Sequence, residues 1–281
     1  MGNLKSKLII SFLILSLSSC NKFELKGFVS SYEQANFRFD QSMNWNNANG
    51  YTEINLPTNT YAIHSMGDSH IGPTENLDLF FENSKVENAA AVVLVGDITT
   101  GNVEDYQVLA NHLPSKESLM YFALTGNHDL YFDGWKQFRE LFGTSSYYFV
   151  VNTPAASDIF IGLETGGGTL GDKQLEWLKN LLNSKRANYR YCTVFTHNNL
   201  FRLRPTESTN PFAEEIQVLA DLFARYKVNM VVNGHDHKRN TAVFGYTTYL
   251  IMDALLDSNK NASYLKITYS QQNMEYRFVE I

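Results

Sequence analysis

From Tyr61 onward the chain alternates short apolar runs with stretches of helical periodicity. The runs at 61–66, 91–96, 119–125, 147–152, 158–163, 190–196 and 229–233 have the length of β-strands. Several, such as Val92-Val93-Leu94-Val95, are apolar at every position. An uninterrupted run predicts a strand buried on both faces, as in sheets covered by helices. Apolar residues recur at helical spacing over 75–86, 103–113, 134–142, 171–184 and 211–226, and Pro211 suits a helix first turn. The stretches 240–250, 262–269 and 274–280 read as strands with little helix between them. An α/β core followed by a late run of β predicts two packed mixed β-sheets flanked by helices.

Composition narrows the organisation. The chain of 281 residues, 44% hydrophobic, supplies one sizeable core and is too short for two large domains. A net charge of −6 leaves little to neutralise a phosphate backbone, so duplex nucleic acid is not an expected partner. Residues 21–58 are rich in Asn, Ser and aromatics and carry no ligand candidates. They read as a tether or as elements packed on the domain. Phe23, Phe28, Phe37 and Phe39 make the segment too apolar for a fully solvated linker, which favours partial packing.

At the N-terminus Lys5 and Lys7 precede an apolar run from Leu8 to Leu17, followed by Ser18-Ser19-Cys20. A basic start, a short apolar segment and small residues predict a secretory signal, because the segment is too short to span a bilayer. Leu-Ser-Ser-Cys resembles the bacterial lipobox, which implies cleavage before Cys20 and lipid on its sulfur. An ordinary signal peptide and an uncleaved anchor are the alternatives. The other cysteine, Cys192, lies in an apolar strand and reads as a small buried hydrophobe.

Behind five of the apolar runs stand Asp68-Ser69-His70, Gly96-Asp97, Gly126-Asn127-His128-Asp129, His197 and Gly234-His235-Asp236-His237. Oxygen and imidazole donors gathered from several strand ends suit a multi-metal site. Singly, each group has a plainer use: a strand-end Asp caps a turn or helix, and a lone His is a surface or core residue. Their joint order behind strands is what points to chemistry. Neighbouring metals need a shared anionic bridge, and Asp97, the one acid in its strand-end turn, is the candidate. Asp68 and His70 alternate along an extended chain, so they converge only where the backbone turns. His235 and His237 share that spacing and in such a turn could serve one metal each. Asn127 offers a neutral amide oxygen. Gly67, Gly96, Gly126 and Gly234 permit tight turns and close backbone approach at the mouth of a sheet.

The blocks D-x-H, G-D, G-N-H-[DE], H and G-H-x-H resemble those of the calcineurin-like metallophosphoesterases, and all five are intact. The resemblance runs over roughly residues 60–280 and includes Gly162-Leu163-Glu164-Thr165-Gly166-Gly167-Gly168 before a helix carrying Gln174, Leu175, Trp177 and Leu178. It implies a four-layer sandwich and a site for two divalent metals, with Mn, Fe and Zn all open. One metal would be held by Asp68, His70, Asp97 and His237, the other by Asp97, Asn127, His197 and His235. Hydroxide between them would attack phosphorus. His128 would assist the leaving group, and Asp129 would act in catalysis or orient the loop. His70 is present and Ile98-Thr99-Thr100-Gly101 follows Asp97, which departs from the tyrosine-ligated purple acid phosphatases. The similarity is to the compact phosphodiesterase-like branch, which implies a small-molecule phosphate ester as substrate.

Substrate contacts are less marked. Arg202 and Arg204, in the loop after His197, have guanidinium forks that suit phosphate oxygens, and a solvated basic loop is the alternative. Tyr131, Phe132 and Trp135 would wall a pocket or enter the core. His64 and His112 fit none of the five groups. The expected division is a signal peptide over 1–19, an extension over 20–58 and a metallophosphoesterase domain over 59–281. The expected activity is that of an exported hydrolase on the bacterial cell envelope. A surface scaffold on the same fold and a nuclease are the competitors. A scaffold has no need of every metal-site position, and the acidic balance weighs against a nuclease.

The Leu-Ser-Ser-Cys segment generates a test of anchoring. Cys20→Ala should yield unlipidated protein that no longer partitions with membranes. Each buried acyl methylene contributes roughly 0.8 kcal/mol, so losing the chains should release the domain. A mutant cleaved elsewhere that still floats with membranes removes the lipoprotein reading.

Overall fold

The structure, a computed structural model, describes residues 33–200 and 213–281. Helix α1 (Ala35–Asn49) and strand β1 (Glu53–Asn55) come first, followed by β2 (Tyr61–Met66), α2 (Glu75–Val86), β3 (Ala91–Val95), α3 (Val103–His112) and β4 (Tyr121–Leu124). A 3-10 turn (His128–Asp133) runs into α4 (Gly134–Phe142), then β5 (Tyr147–Asn152), β6 (Ser157–Leu163), α5 (Gly171–Lys185), β7 (Cys192–Thr196) and α6 (Ala213–Arg225). The last part is β8 (Met230–Asn233), β9 (Asn240–Phe244), β10 (Thr247–Ile251), β11 (Ser263–Tyr269) and β12 (Met274–Glu280).

The strands form a seven-stranded sheet, β1-β5-β6-β7-β8-β10-β9, and a five-stranded sheet, β12-β11-β2-β3-β4. In the smaller sheet β2, β3 and β4 are parallel and β11 runs against β2. In the larger, β6, β7, β8 and β10 are parallel.

The uninterrupted apolar runs have the burial they predict, and each divides its side chains by a period of two. Val93 and Val95 of β3 join Phe149, Phe160, Phe195, Val232 and Leu265 in the core between the sheets. Val92 and Leu94 point the other way, against Phe80, Leu109, Trp135 and Phe138 of the covering helices. On the far side Ile159, Ile161, Val194 and Val231 pack on Leu178, Leu182, Leu219 and Phe223. The result is helix, sheet, sheet, helix, the expected α/β sandwich of two mixed sheets. Among the described residues no helix is long and apolar enough to cross a membrane.

One local difference has a physical cause. The apolar stretch 240–250 is two strands, because Gly245 at a φ of 62° folds it into a hairpin with Thr247 opposite Phe244. The helix expected from 211 is described from Ala213, and Pro211 lies outside the described residues. Within the segment assigned to an extension, β1 pairs in parallel with β5 and α1 packs on the domain. Helix α1 buries Arg38, Phe39, Ser42 and Asn46, and this mostly polar face gives no hydrophobic periodicity to read.

His64 of β2 is fully buried, with Nδ1 2.9 Å from Ser84 Oγ and Nε2 3.4 Å from Glu87. Burial pushes it down to about 4; Glu87 works against that shift, while Lys266 and Arg277 add to it. An unfolded histidine titrates near 6.5. Between those values the unfolded chain takes up a proton that the folded chain refuses. The stability due to neutral His64 is therefore full above pH 6.5 and is lost as pH falls through 4, by about 3 kcal/mol at most. His64→Leu should flatten that part of the stability–pH curve, measured by urea unfolding with chelator present. Parallel curves for the two proteins would count against the assignment.

Candidate metal centre

All five ligand groups leave the C-terminal ends of parallel strands. Asp68 and His70 follow β2, Asp97 follows β3, and Asn127 and His128 follow β4. His197 follows β7, and His235 and His237 follow β8. The two sheets thus meet at one edge with their ligands facing, the usual place for sites in open α/β sheets. Pairing continues past the strand ends: Asp68 N donates to Gly96 O at 3.0 Å, His70 N to Asp97 O at 3.0 Å and Gly234 N to His197 O at 3.1 Å.

Convergence requires sharply turned backbone. Asp68, His70, Asp97, His235 and His237 all adopt positive φ, between 41° and 72°. Each such non-glycine residue costs on the order of 1–3 kcal/mol, so five together mark a strained, over-determined site. The turn at Asp68-x-His70 recurs at His235-x-His237 and aims alternate side chains inward. Gly126 serves close approach: a Cβ there would collide with the Asp97 carboxylate.

Two groups of side chains result. Asp68, His70, Asp97 and His237 offer ligand atoms within 4.8 Å of one another, as do Asp97, His197 and His235. Asp97 belongs to both, with Oδ2 3.7 Å from His70 Nε2 and 3.3 Å from His197 Nε2. In the first group the His70 and His237 Nε2 atoms stand 3.2 Å apart, and His237 Nε2 is 3.2 Å from Asp68 Oδ1. In the second, His235 Nδ1 is 3.3 Å from His197 Nε2. His197 Nδ1 lies 2.9 Å from Val95 O and donates to it, which turns Nε2 toward Asp97.

The electrostatics call for positive charge here. Burial raises the affinity of Asp97 for a proton, but His197, His128 and His70 outweigh it and hold the carboxyl well below its usual range. Asp68 is likewise lowered against its burial, first by His237 and then by His197. Burial opposes a charge on His197, yet Asp97, Asp68 and the Val95 carbonyl push it up to about 10. Burial pushes His70 down to about 4 although both carboxylates favour its charge. A bare imidazole nitrogen facing a buried carboxylate at 3.3 Å is repulsive unless a proton or cation lies between them. Asn127 adds a separate sign. Its Nδ2 donates to the Tyr131 hydroxyl at 3.2 Å, and its buried Oδ1 accepts no hydrogen bond among the described residues. Imidazoles, carboxylates and an unused amide oxygen are donors that divalent metals take.

A sequence profile of the calcineurin-like phosphoesterases matches residues 62–239, more than half of the chain. The chain belongs to that family. No curated protein matches it. Solved structures that it resembles include a dimetal phosphatase from Danio rerio, 11% identical, covering 78% of this chain and 96% of that one at a TM-score of 0.60. The GAP50 anchor of the inner membrane complex of Plasmodium is 12% identical, covering 79% and 85% at 0.62. A putative 5′-nucleotidase from Staphylococcus aureus is 13% identical, covering 79% of this chain and 53% of its own at 0.53. At these identities the likeness is one of fold.

Within this calcineurin-like phosphoesterase the other candidates fall into place or outside. His128 belongs to neither ligand group. It donates its backbone N–H to Asp97 Oδ1 at 2.8 Å, and its ring stands edge-on to His70 at 4.5 Å and tilted on Tyr131 at 4.8 Å. Asp129, a candidate for catalysis, has its carboxylate committed elsewhere. It is fully buried and accepts from the backbone N–H groups of Ile98, Thr99 and Gly126 and from the Thr99 hydroxyl. Burial and then Asp97 push it up to about 6 against the donors at Gly126 and Thr99. These bonds clamp the Asp97 loop to the Asn127 loop.

Trp135 is core, and Tyr131 is a buried orienter of Asn127. His112 is paired with Asp78 near the surface, and Cys192 is buried with its thiol pushed up to about 12 by burial. Arg202, Arg204 and Cys20 lie outside the described residues. Sequence reasoning missed the tie between Asn199 Nδ2 and Asp236 Oδ2, 2.6 Å, which joins the His197 loop to the His235-His237 turn. Asp236 occupies the variable position of its motif, so nothing in the pattern singles it out.

Proposed function

We propose that the chain is an exported, lipid-anchored phosphoesterase that hydrolyses small-molecule phosphate esters with two divalent metal ions. One observation carries the dinuclear part: Asp97 is common to two ligand groups that otherwise share no residue. Asp68, His70, Asp97 and His237 would hold one ion, and Asp97, Asn127, His197 and His235 the other. Bound ions would supply Lewis-acid charge for the phosphoryl oxygens and make hydroxide available near neutral pH. Lipid anchoring rests on the Lys5-to-Cys20 segment alone.

The chain's own residues then have separable tasks. The His128 imidazole, beside the ligand cluster and outside both ligand groups, donates a proton to the leaving-group oxygen as its bond to phosphorus breaks. Its backbone N–H on Asp97 fixes where the ring stands. Asp129 and Tyr131 hold the loops, and neither exchanges a proton with substrate. The scaffold reading keeps one support, since an anchor protein shares the fold. Completeness of the ligand set favours the enzyme: strain at five ligand positions serves no packing purpose of its own.

Two measurements test the reading. Asp97→Ala should lose both ions by elemental analysis, whereas Asn127→Ala should mainly weaken one. Two ions per chain retained in Asp97→Ala would sink the bridging role. His128→Ala should keep its metals and lose turnover by about 10²–10⁴-fold. The loss should be larger for alkyl phosphate esters, whose leaving groups need a proton, than for nitrophenyl esters. An equal loss on both assigns His128 to positioning, and loss of a metal makes it a ligand.

A further inference from the structure

Helix α1 lies wholly before the matched family region, yet it inserts a charge behind the ligand loops. Arg38 is 2% exposed and pairs with Glu164, itself 1% exposed, through Nε and Oε2 at 2.9 Å. A second nitrogen of Arg38 donates to Glu33 O. The third is buried without a hydrogen-bond partner among the described residues and abuts Gly167, where a Cβ would lie 2.6 Å from it.

Glu164 opens the loop after β6, and that loop backs onto two ligand groups. Its Oε1 accepts from the Thr125 hydroxyl at 3.4 Å, two residues before Asn127. A Cβ on Gly166 would lie 2.5 Å from Gly126 O, so the loop rests directly on the Asn127 turn. Thr165 Oγ1 accepts from Asn198 N at 3.0 Å and lies 2.8 Å from Thr196 Oγ1, which brackets His197. A parallel relay starts one turn further along α1. Ser42 Oγ accepts from Ser145 N at 3.3 Å, and Ser145 Oγ accepts from Thr125 N at 2.9 Å. Both relays end beside Asn127, and one also reaches His197. Among the hydrogen bonds described, neither reaches Asp68, His70 or His237.

We infer that Arg38 is a positioning residue for one half of the site: through Glu164 it sets the Asn127 and His197 loops and so the affinity of the ion they would share with His235. The inference rests on the dinuclear reading above. A buried guanidinium paired with a carboxylate is a poor source of net stability, because both ions give up hydration. It does fix geometry, since a planar fork accepts few arrangements. Residues outside the ligand sphere that orient ligands change metal affinity by about 10–100-fold.

The test is a titration of metal-stripped protein with Mn²⁺, followed by calorimetry and well below the unfolding temperature. Wild type should take two ions. Arg38→Met and Glu164→Gln should keep one at wild-type affinity and weaken the other by about 10-fold or more. Arg38→Lys should recover only part of the loss. Asn46→Ala is the control. It removes the bond from α1 to Ser146 O without touching Glu164, and it should leave both ions as in wild type. Selective loss in the Arg38 and Glu164 variants with an unaffected control establishes the role. Unchanged affinities in Arg38→Met overturn it, as does an equal fall at both sites or an equal effect of Asn46→Ala, which would mean general loosening. A wild-type chain that takes one ion removes the dinuclear reading, and this inference with it.

Discussion

Asp68 and Asp97 place two carboxylates in one cluster with almost no exposure to water. Such an arrangement opposes folding unless donors and positive charge surround it. Much of the local structure answers that demand. The backbone N–H of His235 reaches both oxygens of Asp68, and that of His128 reaches Asp97. Four imidazoles close around the pair. Glycine at 126 and 234 removes the Cβ atoms that would collide with these carboxylates. A third buried acid, Asp129, is kept out of the cluster by four donors of its own. The strained turns make sense in the same terms, because only sharply bent backbone brings both members of each alternating pair to one point.

The site was legible because its residues are local. Each ligand stands within a few positions of a strand end, so short sequence blocks carry both the chemistry and its placement. The sandwich was legible for a related reason: strands buried on both faces, such as β3, are apolar throughout. What escaped depends on contacts between distant residues. Helix α1 anchors itself through Arg38, Ser42 and Asn46, so its buried face is polar and has no periodic signature. The hairpin of β9 and β10 hides in one apolar stretch, because Gly245 alone marks its turn. The carboxylate of Asp129 is held by backbone N–H groups of the Asp97 loop, partners that its place in the sequence does not reveal.

The fold alone decides little about chemistry, since a phosphatase and an anchor protein both resemble it at similar scores. Chemistry depends on the donors that the strand-end loops carry. Here the donors are complete. The support behind them comes partly from an N-terminal helix that the family match does not include.

The placement of β2 has a temporal consequence. This strand delivers Asp68 and His70, near the start of the domain, but it lies between β3 and β11. Its partner on one side, Leu265 opposite Ser65, is about two hundred residues later in the chain. Closing so long a loop makes the pairing slow compared with local contacts. Until residues 263–269 arrive, β2 is an open edge that invites association with other chains. Asp68 and His70, the first of the candidate ligands to be synthesised, are thus among the last to be secured. A nascent chain holds these residues in an unassembled state until residues 263–269 have emerged.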